Sequence, residues 1–155
     1  MADTVRLWIE TSHHAAFRVG GWAFVLHDGK GLSGAAGGER GASPERTALL
    51  GLARGLADAP ATGAIAVASA DPLVVGVPRR IAGFAKEPPA LDVELWAQIG
   101  TVLKARKVSF AVTRSEPKTP TAFSAAWAEL GRDKAKSTGD FKSPIPRTNL
   151  AKAGV

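Results

Sequence analysis

The sequence predicts an α/β domain built on a five-stranded mixed sheet with helices on its faces. Three observations predict it. The first forty residues hold three strand-like runs separated by turns, which reads as an antiparallel meander. Two further short apolar runs follow: "AIAVASAD" reads as a buried strand and "KVSFAVT" as the last strand. Segments with helical spacing join these runs, so crossovers bring the later strands in parallel. The element order is β-β-β-α-β-α-α-β-α.

The first strand, residues 5–10, is β-branched and aromatic and apolar on both faces, which suits a central position. Residues 22–26 form the second strand. Asp28-Gly29 turns the chain into a short return strand at residues 32–36. "ASPERTALLGLARGLADAP" is the clearest helix. Ser43 can cap it, Pro44 fits its first turn and Pro60 closes it. Leu49, Leu52 and Leu56 share one face.

Pro72 starts a short helix after the fourth strand. "PRRIAGFAKEPP" follows as a basic, Pro/Gly-broken connector. "ALDVELWAQIGTVLKAR" is a second strong helix, with Leu91, Leu95, Ile99 and Val102 in line. "PTAFSAAWAELGR" is the last helix. Residues 1–132 are expected to form one domain, and residues 133–155 a basic, extended or partly disordered tail.

Composition narrows the function classes. Hydrophobic residues make up 45% of 155, enough for a core without staples. With no cysteine there is no disulfide, no thiolate zinc site and no cysteine nucleophile, which fits a cytoplasmic protein. "MADTVRLWIE" lacks a basic segment followed by an apolar one, so no secretory signal is expected. No apolar run approaches the roughly 20 residues of a membrane span. The net charge of +6 favours a polyanionic partner, nucleic acid first.

Three carboxylates stand at informative places. Glu10 ends the first strand and Asp71 ends the fourth, where open mixed sheets build their sites. Glu45 lies in the first turn of the first helix. Its spacing from Leu49, Leu52 and Leu56 predicts that it points toward the sheet. Three converging acids need a hard cation, and oxygen ligands suit Mg²⁺ or Mn²⁺. Each acid also has a structural reading. The helix dipole favours Glu45, Asp71 before Pro72 is a good N-cap, and Glu10 can be a solvated strand end.

These residues resemble a type 1 ribonuclease H domain across roughly residues 4–132. The correspondence runs through Ile9-Glu10-Thr11-Ser12, Gly20-Gly21-Trp22, Ser43-Pro44-Glu45, Ser69-Ala70-Asp71 and Val93-Glu94-Leu95-Trp96. The resemblance implies Mg²⁺- or Mn²⁺-dependent cleavage of the RNA strand of an RNA–DNA hybrid. Glu10, Glu45 and Asp71 fall on three of the family's four catalytic, metal-holding carboxylates. Glu10 stands where the family has Asp. Its extra methylene moves the carboxylate by about 1.5 Å, one carbon–carbon bond. A displacement of that order costs on the order of 100-fold in rate.

The fourth carboxylate falls by the match at Ala126, where no acid stands. Glu129, about one turn on, is the further metal-ligand candidate. The loop before the last helix, residues 113–118, has no histidine. The substrate side implied by the resemblance is Arg79, Arg80, Lys86 and Lys118. Two classes of function follow. One is a ribonuclease H-type nuclease with a weakened site. The other is an inactive ribonuclease H-like domain that binds nucleic acid or a protein partner.

Overall fold

The computed structural model describes residues 4–155. Met1 to Asp3, the start of the expected 1–132 unit and of the stretch read for a secretory signal, lie outside the described residues. The meander is β1 (Val5–His14), β2 (Val19–His27) and β3 (Leu32–Arg40), with a 3-10 turn at Ala15–Phe17 between the first two. Helix α1 (Pro44–Asp58) then crosses to β4 (Ile65–Ser69), which pairs parallel to β1. Short α2 (Pro72–Val75) and α3 (Val77–Gly83) lead to α4 (Val93–Ala105) and β5 (Val108–Val112), parallel to β4. Helix α5 (Pro120–Thr138) closes the expected set.

All five expected strands are present, and the mixed α/β class holds. Two details change. Residues 78–83 of the basic connector are helical, as part of α3, because Pro78 sits in the first turn, where its missing N–H costs nothing, and Pro88 and Pro89 lie beyond the helix. The meander strands also run about four residues past their expected ends. The ladder from His13↔Gly20 to Gly20↔Glu39 pairs polar residues and glycines that carry no strand signal of their own.

The tail is the larger correction. Helix α5 continues without a break through residue 132, where the domain was expected to end. Gly139, with φ near 96°, turns the chain into a sixth strand, β6 (Phe141–Pro144), antiparallel to β3. A short helix α6 (Arg147–Leu150) follows. The sheet order is β5-β4-β1-β2-β3-β6. The tail is ordered because it buries apolar surface: Ile145, Leu150 and Ala153 are buried against Ala23, Val25, Ala36 and Ala128. Three widely spaced apolar residues among prolines and lysines give no periodicity to read.

The sheet has a core on each face. Leu7 and Ile9 of β1 pack with Leu49, Leu52 and Leu56 of α1. On the other face, α5 lies directly on backbone. A Cβ at Gly21 would stand 2.1 Å from the Ala128 carbonyl, and one at Gly131 would stand 2.3 Å from the Gly37 carbonyl. We expect Gly131→Ala to cost about 2 kcal/mol or more in urea unfolding, because backbone cannot yield as a side-chain tip can. Gly100→Ala on α4, where an added Cβ meets nothing, is expected to stabilise by about 0.5–1 kcal/mol.

Candidate active site

Glu10 does not end β1, which runs on to His14; it stands just past the last β1–β4 pair, Trp8↔Ala68, because the β2 ladder carries the strand further. There one hydroxyl joins β1 to the end of β4. Ser69 Oγ donates to the Ile9 carbonyl at 2.6 Å, accepts the Asp71 N–H at 3.0 Å and lies 3.1 Å from Glu10 Oε2. The Ala70 N–H donates to the same Glu10 oxygen at 2.8 Å. Glu10 is 5% exposed. Period-two alternation puts it on the α5 face of β1, between Trp8 and Ser12.

Burial pushes the Glu10 carboxyl up to about 7. The hydrogen bonds from Ala70 and Ser69 pull it back down, and the neighbouring Asp71 charge adds to the rise. Asp71 is the N-cap of α2. Its Oδ1 accepts the Leu73 N–H at 2.9 Å, and its Oδ2 accepts the Thr11 hydroxyl. Glu10 and Asp71 are therefore neighbours, each held by the turn that joins β4 to α2.

Glu45 is not with them. It is exposed, and its carboxylate lies 3.2 Å from Arg80 Nη2. The expectation that it points toward the sheet is corrected. Glu45 precedes the first buried turn of α1, and α3 supplies a cation on the outer side. Among the described residues, no three or more His, Asp or Glu side chains gather as a metal-holding group.

The expected fourth acid also finds no place. Ala126 and Glu129 are both exposed on α5. The face that α5 turns to the sheet is Thr121, Ser124, Ala128, Gly131 and Ala135. Ser124 lies between Thr121, bonded to Thr113 beyond β5, and Ala128, packed on Gly21. Its hydroxyl is fully buried and has no hydrogen-bond partner among the described residues. The spacing 124, 128, 131, 135 is the signal that could have found it in the sequence.

Two more side chains complete the surroundings. Arg132 Nη1 donates to Ser12 Oγ at 2.9 Å, tying α5 to the end of β1. His13 Nε2–H donates to the Ala42 carbonyl at 2.8 Å, tying β1 to the start of α1. Of the expected substrate-side cations, Arg79 and Lys86 are exposed on and after α3, and Lys118 is exposed on the β5–α5 loop. Arg80 is instead half-buried: its guanidinium lies 4.7 Å from the Trp96 ring centroid and bonds Glu45.

The donor set decides what a metal would meet here. Glu10 Oε2 and both oxygens of Asp71 already accept protein hydrogen bonds, and Glu45 is held by a cation. As arranged, these residues do not fit a two-metal centre, which needs several carboxylates converging on each ion, whereas no three acids gather as a metal-holding group among the described residues.

Strand order and the α1 and α5 layers define a ribonuclease H-like fold. Solved structures agree. The N-terminal RNase H domain of Rv2228c from Mycobacterium tuberculosis superposes with a TM-score of 0.68 at 17% identity, over 87% of this chain and 97% of that one. LC9-RNase H1, described as a type 1 RNase H with the type 2 active-site motif, gives 0.64 at 12% identity, over 99% of this chain and 86% of that one. No protein-family model matches the sequence. No curated protein matches it either.

The raised Glu10 carboxyl has a thermodynamic consequence. Its folded value lies above the ordinary 4.5, so the folded state holds an extra proton between about 4.5 and 7. Stability is therefore expected to fall as pH rises through that window, by on the order of 3 kcal/mol. Glu10→Gln should flatten this slope in urea titrations at pH 5 and pH 8.

Proposed function

We propose that this chain is a ribonuclease H-like domain that binds nucleic acid, RNA–DNA hybrid first, without cleaving it by the four-carboxylate route. The observation that carries this reading is the division of the acids: Glu10 and Asp71 sit side by side, while Glu45 faces Arg80. The net charge of +6 and the exposed Arg79, Lys86 and Lys118 support an anionic partner. The RNase H domains among the structural neighbours make the hybrid the first choice. The absence of cysteine supports a cytoplasmic setting, and no helix among the described residues is long and apolar enough to cross a membrane.

In this reading Glu10 and Asp71 are structural. Asp71 caps α2, and Glu10 closes the β1–β4 junction through Ser69 and Ala70. Phosphate contact falls to the cations of α3 and its following turn, with Arg80 held in place by Trp96 and Glu45. The second reading is slow Mg²⁺- or Mn²⁺-dependent hydrolysis of the RNA strand. What favours it is the retention of two acids side by side just past the β1–β4 ladder.

One assay separates them. Labelled hybrid is incubated with the protein in Mg²⁺ or Mn²⁺, beside Asp71→Asn. Binding is expected with no cleavage above the Asp71→Asn background. Three phosphate contacts give a slope of log affinity against log salt of about −2 to −3, and Arg79→Ala should reduce it by about one. Cleavage that Asp71→Asn abolishes overturns the reading, and so does affinity that ignores salt.

A further inference from the structure

The tail builds a second feature, away from the carboxylates. Strand β6 extends the sheet beyond β3, and α1 runs over the same edge. Between them lies a cleft of about 320 Å³, lined by Trp22, Gly38, Glu39, Arg46, Leu50, Arg54 and residues 140–142. That is within the roughly 300–1,000 Å³ range of small-molecule sites. The carboxylates stand at β1 and β4, and this cleft stands at β3 and β6, on the opposite side of the sheet order.

The charges in the cleft are unequally committed. Arg46 is fully engaged, with Glu39 at 2.8 Å, Asp92 at 2.9 Å and Glu94 at 2.7 Å. Its single charge is shared among these three carboxylates, so Arg46 has no donor to spare for a ligand. Asp140 accepts the Arg40 N–H at 2.8 Å. Lys142 pairs with Asp58 at 3.1 Å, where both side chains are about 40% exposed, a weak and exchangeable contact.

Arg54 differs from all of these. It stands on the α1 face formed by residues 46, 50, 54 and 58, and it is half-buried. It has no hydrogen-bond or ion-pair partner among the described residues. The nearest acid on its own helix face, Asp58, goes to Lys142 instead. Its guanidinium opens into the cleft with all its donors free of partners among the described residues, so an anionic ligand can take them without displacing an ion pair.

We propose that this cleft binds a phosphate monoester, with Arg54 as its principal contact and Lys142 as the second. The guanidinium offers a planar fork of donors that matches two phosphate oxygens, and the Lys142 ammonium can exchange Asp58 for the third. Beyond the phosphate, Leu50 and the edge of Trp22 wall an apolar space for the ester group. A monoester is favoured over a diester because its two charges meet two cations. A free mononucleotide and the 5′-phosphate end of a nucleic-acid strand present this same chemistry.

The test uses the full chain and backbone-amide NMR with calorimetry. AMP and a 5′-phosphorylated short oligonucleotide are titrated beside adenosine and the 5′-hydroxyl oligonucleotide. Shifts at Gly38, Leu50, Arg54 and Lys142 are expected only with the phosphorylated ligands. Binding by AMP alone identifies the free nucleotide as the source, and binding by the phosphorylated strand alone identifies the strand end.

Arg54→Gln should weaken binding at least about tenfold, and Arg54→Lys less. Because Arg54 has no partner to lose, both variants should melt as the parent does. Arg79→Ala should leave AMP affinity unchanged, which keeps this result separate from hybrid binding. The proposal is overturned if neither AMP nor the 5′-phosphorylated oligonucleotide moves those amides. Equal binding of adenosine, or an Arg54→Gln variant that binds AMP as tightly as the parent, overturns it too.

Discussion

The close contact of α5 with the β2–β3 backbone sets the position of most other features. Glycines at 21, 38 and 131 let helix and sheet meet without side chains between them. A helix this near the sheet turns only small residues inward, and Ser124, Ala128, Gly131 and Ala135 are those residues. The same contact carries Arg132 over Ser12 at the end of β1. It also lets α5 run on to Thr138, which delivers the chain to the free edge of β3. The candidate active site, the sixth strand and the cleft beside it all follow from one helix lying flat on glycine.

At the β1–β4 junction the balance is between desolvation and hydrogen bonding. Glu10 is buried, and burial dominates its carboxyl even with two donors on Oε2. Asp71 resolves the same problem differently, as a cap with each oxygen satisfied. Glu45 stays at the surface, where Arg80 supplies the opposite charge. Each acid has found its own local partner. Acids partnered in this way behave as structural polar groups, with Glu10 and Asp71 sharing the turn after β4 and Glu45 apart from them at the start of α1.

The meander, both crossovers and the two strong helices were legible because their signals are local. Ser43 does cap α1, Asp71 does cap α2, and the Leu49, Leu52 and Leu56 stripe is buried. The site was legible in part. Its residues at 10, 69 and 71 share one junction, although Glu10 lies inside β1 and not at its end. Glu45 shows the limit: helical spacing gives a face, but near the helix start that face has already passed the edge of the sheet. Ser124 was hidden for another reason. The match to the family's last helix was read at Ala126, and only packing on Gly21 shows which face turns inward.

The sequence by itself determined the elements, their order and the acid that follows β4, because capping, turn chemistry and apolar period act over a few residues. The tertiary structure alone decided that residues 133–155 are ordered, that Glu45 pairs with Arg80 and that Arg54 stands unpaired in a cleft. These depend on contacts between residues far apart in the chain: β6 with β3, α3 with α1, and the tail with the second core. Burial and charge pairing are set by what lies opposite in space, and no short stretch of sequence carries that information.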